Sequence, residues 1–292
     1  MRFVLQSAVF GILIGATYGL AGLGLSLAFG VLKVLNVAHG ELIMLGGYAT
    51  FFAVTELGVD PFVAMPVVFL LLMAMGVGLH LTLFQHITRL DEGHRIKNSL
   101  LIAFGLVLVL QTLAVKAFTA DARTVVTDYS RAAITIGPLR LPLTRLAGMI
   151  VAVIAVVAIE RFLTRTLLGK SIRATSENWT LATLSGIDVR RAYLVAFGIA
   201  AGLAGITGTV ITLGFSISPS MGLEWTLRAL VVVVLAGLGS VRGVVLAGMF
   251  LGLVEGLSSV WLGTSYRAVV ALVVFVVVLW VKPQGLFGRA DV

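Results

Sequence analysis

Apolar residues fill this chain in long blocks separated by a few polar stretches. The blocks fall at about 8–32, 40–55, 62–84, 99–118, 143–163, 192–213, 226–238, 243–262 and 266–281, and the polar breaks at 85–98, 119–142, 164–191 and 282–292. A helix that crosses a bilayer needs ~20 apolar residues, with 17–25 usual. The blocks at 40–55, 226–238 and 266–281 are short, which predicts tilted, broken or re-entrant helices. The expected fold is an all-α polytopic membrane protein with 8–9 transmembrane helices, Gly-rich broken segments and one domain over residues 1–292. The first block is too long for a signal-peptide core and has no Ala-x-Ala site, so it is expected to stay as a first span.

Composition agrees with this pattern. Charged residues make up 12% of the 292-residue chain, against roughly 25% in a soluble domain, and mean hydropathy is +1.10. The formal net charge is +8, but the cations sit in the loops. That distribution points to loop asymmetry and anionic lipid rather than nucleic acid. With no cysteine, disulfides, thiolate nucleophiles and Cys-ligated metals are excluded. If all nine blocks cross and 164–191 is cytoplasmic, thirteen of the 21 Lys and Arg fall inside. The bias predicts an outside N-terminus and a cytoplasmic C-terminus, although four arginines in 119–145 run against it.

The break at 164–191 is the most polar part of the chain. Arg165, Lys170, Arg173, Arg190 and Arg191 stand there against Glu177 and Asp188. Within it the sequence predicts a short helix, with Ser176 as N-cap, Glu177 at the positive end and Gly186 in the left-handed position past the last turn. About nine helical residues would span ~13–14 Å, with Leu181 and Leu184 on one face. So short a helix is marginal alone. It is either a capped surface linker or a docking element for a separate protein.

Glycine recurs at helical spacing. Gly11, Gly15 and Gly19 form one strip, Gly248, Gly252 and Gly256 another, and Gly198 and Gly202 a pair followed by Gly205 and Gly208. Such strips let backbones approach closely in lipid, and one early and one late strip are consistent with an internal repeat. Between the first two blocks, Lys33, Asn36, His39 and Glu41 lie within nine residues. Polar groups at membrane depth are costly and usually face a cavity or one another; a plain cytoplasmic turn would also accommodate them. Glu255, inside a late block, reads as a proton relay or as a polar group satisfied by a partner in the bundle.

The run LGLSLAFGVLKVLNVAHGELIMLGGY resembles the first-to-second-span segment of branched-chain amino acid ABC transporter permeases, through Asn36-x-Ala38-His39-Gly40-Glu41, Met44-Leu45-Gly46 and Tyr48. GKSIRATSENWTLATLSGIDVRR is similar to the family's cytoplasmic coupling loop, with Thr180, Leu181, Ala182 and Gly186 on its E-A-A-x-x-x-G pattern; Thr180 replaces the acid and Leu181 the first alanine. The segment around Gly237-Leu238-Gly239-Ser240-Val241-Arg242-Gly243 resembles the region before the family's last spans, and the two glycines beside a short apolar block read as a discontinuous helix. The resemblance runs from about residue 8 to 288.

The resemblance implies a non-enzymatic permease subunit of an ATP-binding-cassette importer in a bacterial inner membrane, moving branched-chain or other hydrophobic amino acids by alternating access. The same architecture carrying urea or short amides, and an ion-coupled carrier or channel acting alone, are the other readings. The implied partners are a second permease, two cytosolic ATPases and an extracytoplasmic binding protein, with the lipid around them. No cofactor is expected on this chain; ATP and Mg belong to the ATPases. Coupling is expected at Thr180, Leu181, Ala182, Leu184 and Gly186. The substrate pathway is expected at Asn36, His39, Gly40 and Glu41, where Glu41 would serve an ammonium group or hold Lys33 or His39. TRTLLGKS (164–171) lacks the first glycine and the preceding strand of a phosphate-binding loop.

Overall fold

The computed structural model describes residues 2–288 except 89 and 138. The chain is a helical bundle: α1 (Arg2–Leu32), α2 (His39–Thr55), α3 (Pro61–Leu79), α4 (Gln85–Ile87), α5 (Glu92–Phe118), α6 (Leu143–Arg165), α7 (Leu167–Glu177), α8 (Trp179–Leu184), α9 (Val189–Thr212), α10 (Met221–Ala236), α11 (Val241–Trp261) and α12 (Arg267–Val281). A π-helical turn, His80–Phe84, joins α3 to α4. Among the described residues, six helices are long and apolar enough to cross a membrane: α1, α3 with its extension to Ile87, α5, α6, α9 and α11. This is the polytopic α-helical class the apolar blocks predict. The break at 119–142 also holds a β-hairpin, β1 (Ala133–Ile136) antiparallel to β2 (Leu139–Pro142). Its apolar-polar alternation is only four residues per strand, too short to stand out in the sequence.

Helix starts follow side-chain chemistry. Asp60 accepts a hydrogen bond from Phe62 N (2.8 Å) with Pro61 at the first helical position of α3. Asp188 does the same for Arg191 N (3.0 Å) in α9, and Ser240 for Gly243 N (3.2 Å) in α11. Each satisfies an amide that the first helical turn leaves without a partner.

The centre belongs to α1 and α9. Of their apolar stretches 72% and 83% is buried within the chain, against 22–28% for α3, α5 and α6. The outer helices show Leu70, Leu101, Leu108 and Ile154 to their surroundings, as lipid-facing helices do. The glycine strips pack on each other. A Cβ on Gly11 would strike the Gly252 carbonyl, one on Gly15 the Gly248 carbonyl, and one on Gly248 or Gly252 the α1 backbone. Likewise Gly198 and Gly202 receive Val77 and Phe69 of α3, and Gly46 of α2 meets Gly205 of α9.

Two ends can be told apart. At one, Gln6 donates to Arg140 O (2.7 Å), Tyr129 donates to Asp60 (3.0 Å) and Arg123 pairs with Ile217 backbone to backbone. At the other, Arg190 donates to Gln85 (3.0 Å), Arg242 pairs with Glu160, and Leu286 N donates to Leu235 O (2.7 Å). We call these the hairpin end and the loop end. The long break 164–191 lies at the loop end. Arg228 on α10 is half-buried, 5.1 Å from the Tyr18 ring and paired with Glu224 at 2.7 Å. Arg89 and Arg289 lie outside the described residues. The Gly237–Gly243 stretch is the turn from α10 to α11, with φ +92° and +87° at Gly237 and Gly239. The interruption expected there lies instead before α10, at 213–220.

Candidate functional site

The site is built where two interrupted helices begin. After Leu32 the chain reverses at Lys33, whose φ is +54°, and residues 33–38 return along α1 without helical structure. Asn36 organises the restart: its Oδ1 accepts from Ala38 N and its carbonyl from His39 N, both at 3.1 Å. Helix α2 therefore starts deep in the bundle. The His39 Nε2 lies 3.2 Å from Ala21 O, and Ala21 is eleven residues, roughly 16 Å along the axis, short of the end of α1. Asn36, His39 and Glu41 are all buried.

On the opposite side α10 also begins deep in the bundle. Thr226, in its second turn, accepts from Gly40 N and donates to Val37 O, each at 2.9 Å. The hydroxyl thus ties the first turn of α2 to α10. Gly40 faces Gly222, and a Cβ on Gly40 would collide with the Gly222 carbonyl and the Thr226 hydroxyl. A Cβ on Gly222 would fall on the Glu41 carboxylate. Among the described residues that carboxylate forms no ion pair with Lys33 or His39. It lies against the start of α10, and its Oε2 is buried with no hydrogen-bond partner among the described residues. Two helix N-termini, each carrying partial positive charge, converge on one carboxylate. The first amides of α2 are already engaged, those of His39, Gly40 and Glu41 by Asn36 O, Thr226 and Ala38 O, so what this point can offer is the Glu41 carboxylate to a cationic group. The structure thus brings Asn36, His39, Gly40 and Glu41 together and adds Gly222 and Thr226. The sequence carries a signal for these two, a Gly and a Thr four apart at a helix start, but cannot pair them with residue 40.

From the loop end a cleft of about 570 Å³ reaches in toward Ser26, passing Lys33, Glu160, Arg173, Arg242 and Phe287. The Arg242–Glu160 ion pair spans it. Ser26 is fully buried and its Oγ has no partner among the described residues.

The coupling-type loop differs in detail from its expectation. Ser176 and Glu177 close α7 rather than open the next helix. The N-cap of α8 is Asn178, whose Oδ1 accepts from Leu181 N (3.0 Å), so the helix has six residues, not nine. Asn caps as well as Ser, and the α7 helix just upstream claims Ser176. The closing glycine stands as expected: Gly186 has φ +79°, with Gly186 N donating to Thr183 O and Ile187 N to Ala182 O, both 3.0 Å. Trp179, Thr180, Leu181, Leu184 and Gly186 are exposed, Leu184 at 79%; Ala182 is 4% exposed and faces the protein. Arg95 pins the helix from beneath, its guanidinium 5.6 Å from the Trp179 ring and donating to Tyr193 OH at 3.2 Å. The sequence shows Arg95 only as one loop cation among many. In the fold it is buried and braces α5, α8 and α9.

Comparison with known proteins gives a consistent result. The chain is 28% identical over 303 residues to the high-affinity branched-chain amino acid transport system permease protein LivH of Escherichia coli, covering 99% of this chain and 97% of that protein. It is 26% identical to BraD, the permease protein of the same name from Pseudomonas aeruginosa, with the same coverage. A probable branched-chain amino acid transport permease protein from Methanocaldococcus jannaschii is 24% identical over 92% of this chain and 88% of its own length. No solved structure matches. Residues 7–279 fit the profile described as branched-chain amino acid transport system / permease component, and the chain belongs to that family.

Proposed function

We propose that this chain is the membrane-embedded permease subunit of an ATP-driven importer for branched-chain or other hydrophobic amino acids. Family membership supports the class, and one structural observation carries the mechanism. A six-residue helix, α8, is capped at both ends, braced by Arg95 and holds Leu181 and Leu184 out from the loop end. An apolar face presented on a rigid, polar-flanked mount suits a protein partner better than solvent. On this reading Thr180, Leu181, Leu184 and Gly186 meet a cytosolic ATPase, while Ala182 supports the helix from within. ATP and Mg belong to that partner. A second permease and an extracytoplasmic binding protein complete the assembly.

The same reading places the loop end in the cytoplasm and the hairpin end outside, with nine crossings in one domain. It also treats α1–α5 and α9–α12 as inverted halves. Reciprocal packing supports this: α1 lies on α11 as α9 lies on α3, and α2 and α10 each restart midway and meet. Alternating access then amounts to rocking one half on the other about the Gly40–Gly222 contact. Substrate passes Asn36, His39, Gly40 and Glu41. Each nucleotide state of the ATPases must favour one access state, because only differential binding shifts such an equilibrium. Affinity purification of the solubilised protein should recover ATPases in stoichiometric amounts, and Leu184→Asp should lose them. Solute flux through the pure chain alone would refute the proposal.

A further inference from the structure

A second polar chamber lies nearer the hairpin end, apart from the crossing of α2 and α10. It encloses about 100 Å³ between α1, α6, α11 and α12, the room of about three water molecules. Tyr18 and Glu255 form its floor, with Tyr18 OH donating to Glu255 Oε2 at 2.9 Å. Arg145 and Arg267 reach it from the starts of α6 and α12. Arg145 stacks 4.6 Å over Phe10, and Arg267 Nε is buried without a hydrogen-bond partner among the described residues. Among those residues neither arginine forms an ion pair with Glu255. Charged groups at membrane depth ordinarily pair with one another or serve a ligand. Here two cations and a carboxylate face one cavity and leave a gap between them, with apolar Phe10 and Ile14 on its wall.

We infer that this chamber binds the charged head of a zwitterionic α-amino acid, its carboxylate between Arg145 and Arg267 and its ammonium at Glu255. The two arginines present planar donors suited to a carboxylate. The excess of one positive charge makes the carboxylate the stronger attachment point. The volume fits the head and leaves the side chain on the Phe10–Ile14 wall or outside. The floor is closed by packed rings: Tyr18 meets Trp225 edge-on at 5.9 Å, and Trp225 adjoins Thr226 at the crossing. The chamber is thus a separate site on the hairpin-end side of the Gly40–Gly222 contact. This rests on the amino-acid reading above.

The test uses the assembled transporter in nanodiscs without binding protein. Saturation-transfer NMR compares leucine with 4-methylpentanoate, which lacks the ammonium, and 3-methylbutylamine, which lacks the carboxylate. The wild type should favour leucine over both. Glu255→Gln should lose the preference over 4-methylpentanoate, and Arg267→Gln the preference over 3-methylbutylamine, by roughly tenfold each. Arg267→Lys, which keeps the charge, should retain part of the preference. A purely structural role would lower assembly and thermal stability while leaving these ratios untouched. Unchanged ratios in assembled variants would overturn the inference, as would loss of a co-purifying phospholipid from Arg267→Gln with leucine binding intact. ATP-driven leucine uptake by wild-type proteoliposomes supplied with binding protein is the separate control on the amino-acid reading.

Discussion

Replacing Thr226 with valine keeps the shape of the side chain and removes only the hydroxyl that joins α2 to α10. That hydroxyl accepts from Gly40 N and donates to Val37 O, both at 2.9 Å, and Thr226 is buried. The substitution strands one amide and one carbonyl in a site closed on both sides by glycine contacts. A buried backbone group left without a partner costs about 1–3 kcal/mol. The pair therefore totals about 2–6 kcal/mol, at the lower end if water enters from the loop-end cleft. Val also adds a methyl where the hydroxyl faced two polar atoms, so no packing gain offsets the loss. Thr226→Ser supplies the control, since it keeps the oxygen and loses only the methyl. Thermal unfolding of the purified protein should show Thr226→Val falling on the order of 5 °C or more below Thr226→Ser. ATP-driven uptake should fall with it, because the start of α2 loses its register against α10. Equal midpoints and equal uptake for Val and Ser would show that the tie does not hold the crossing together.

The remaining predictions address other links in the chain. Leu184→Asp should abolish recovery of ATPase on pull-down while leaving the unfolding midpoint within about 1 °C, whereas Ala182→Asp, which places a charge at a buried position, should destabilise the chain itself. Gly252→Ala should reduce folded yield sharply, since its Cβ has only the α1 backbone to meet, while Gly105→Ala, with open space around it, should be neutral or slightly stabilising. Gly186→Ala should cost about 1 kcal/mol through its positive φ, visible as faster proteolysis between α8 and α9. Burial and the hydrogen bond to Asp60 push Tyr129 up to about 12. The Tyr129 contribution to holding the hairpin-end loops should be intact below pH ~10 and lost as pH rises through the shifted value. The difference in tyrosinate absorbance between wild type and Tyr129→Phe should centre near pH 12; a difference centred near 10 would refute the contact.

Much of the bundle is legible in the chain because lipid imposes one rule on every outer helix. The apolar block at 143–163 becomes α6 almost to the residue. The glycine strips meet as helix-packing logic requires. What the pattern hides are helix ends made of charged residues. Helix α5 begins at Glu92, seven residues before its apolar block, because Asp91 caps it and Arg95 is buried beneath Trp179 and Tyr193. Helix α10 begins at Met221 rather than 226 because its first turn carries Glu224 and packs on Glu41. The AHGE segment signals a polar site by itself. Its partners do not, since nothing local in Gly222 or Thr226 names residue 40. Ser176 suits a cap by chemistry, but capping is decided by where the previous helix stops, and α7 runs on through Ser176 and Glu177.

The stretch 284–288 folds back over the last carbonyls of α10, with Leu286 N and Phe287 N donating to Leu235 and Ala236 at 2.7 and 3.1 Å. Fourteen residues of α10, roughly 21 Å of helix, lead from that clasp to Gly222 beside Glu41. One uninterrupted helix therefore joins the clasp to the contact with Glu41. On the proposed transport reading, the tail-side clasp is a second handle on the crossing of α2 and α10, separate from the short helix between α7 and α9.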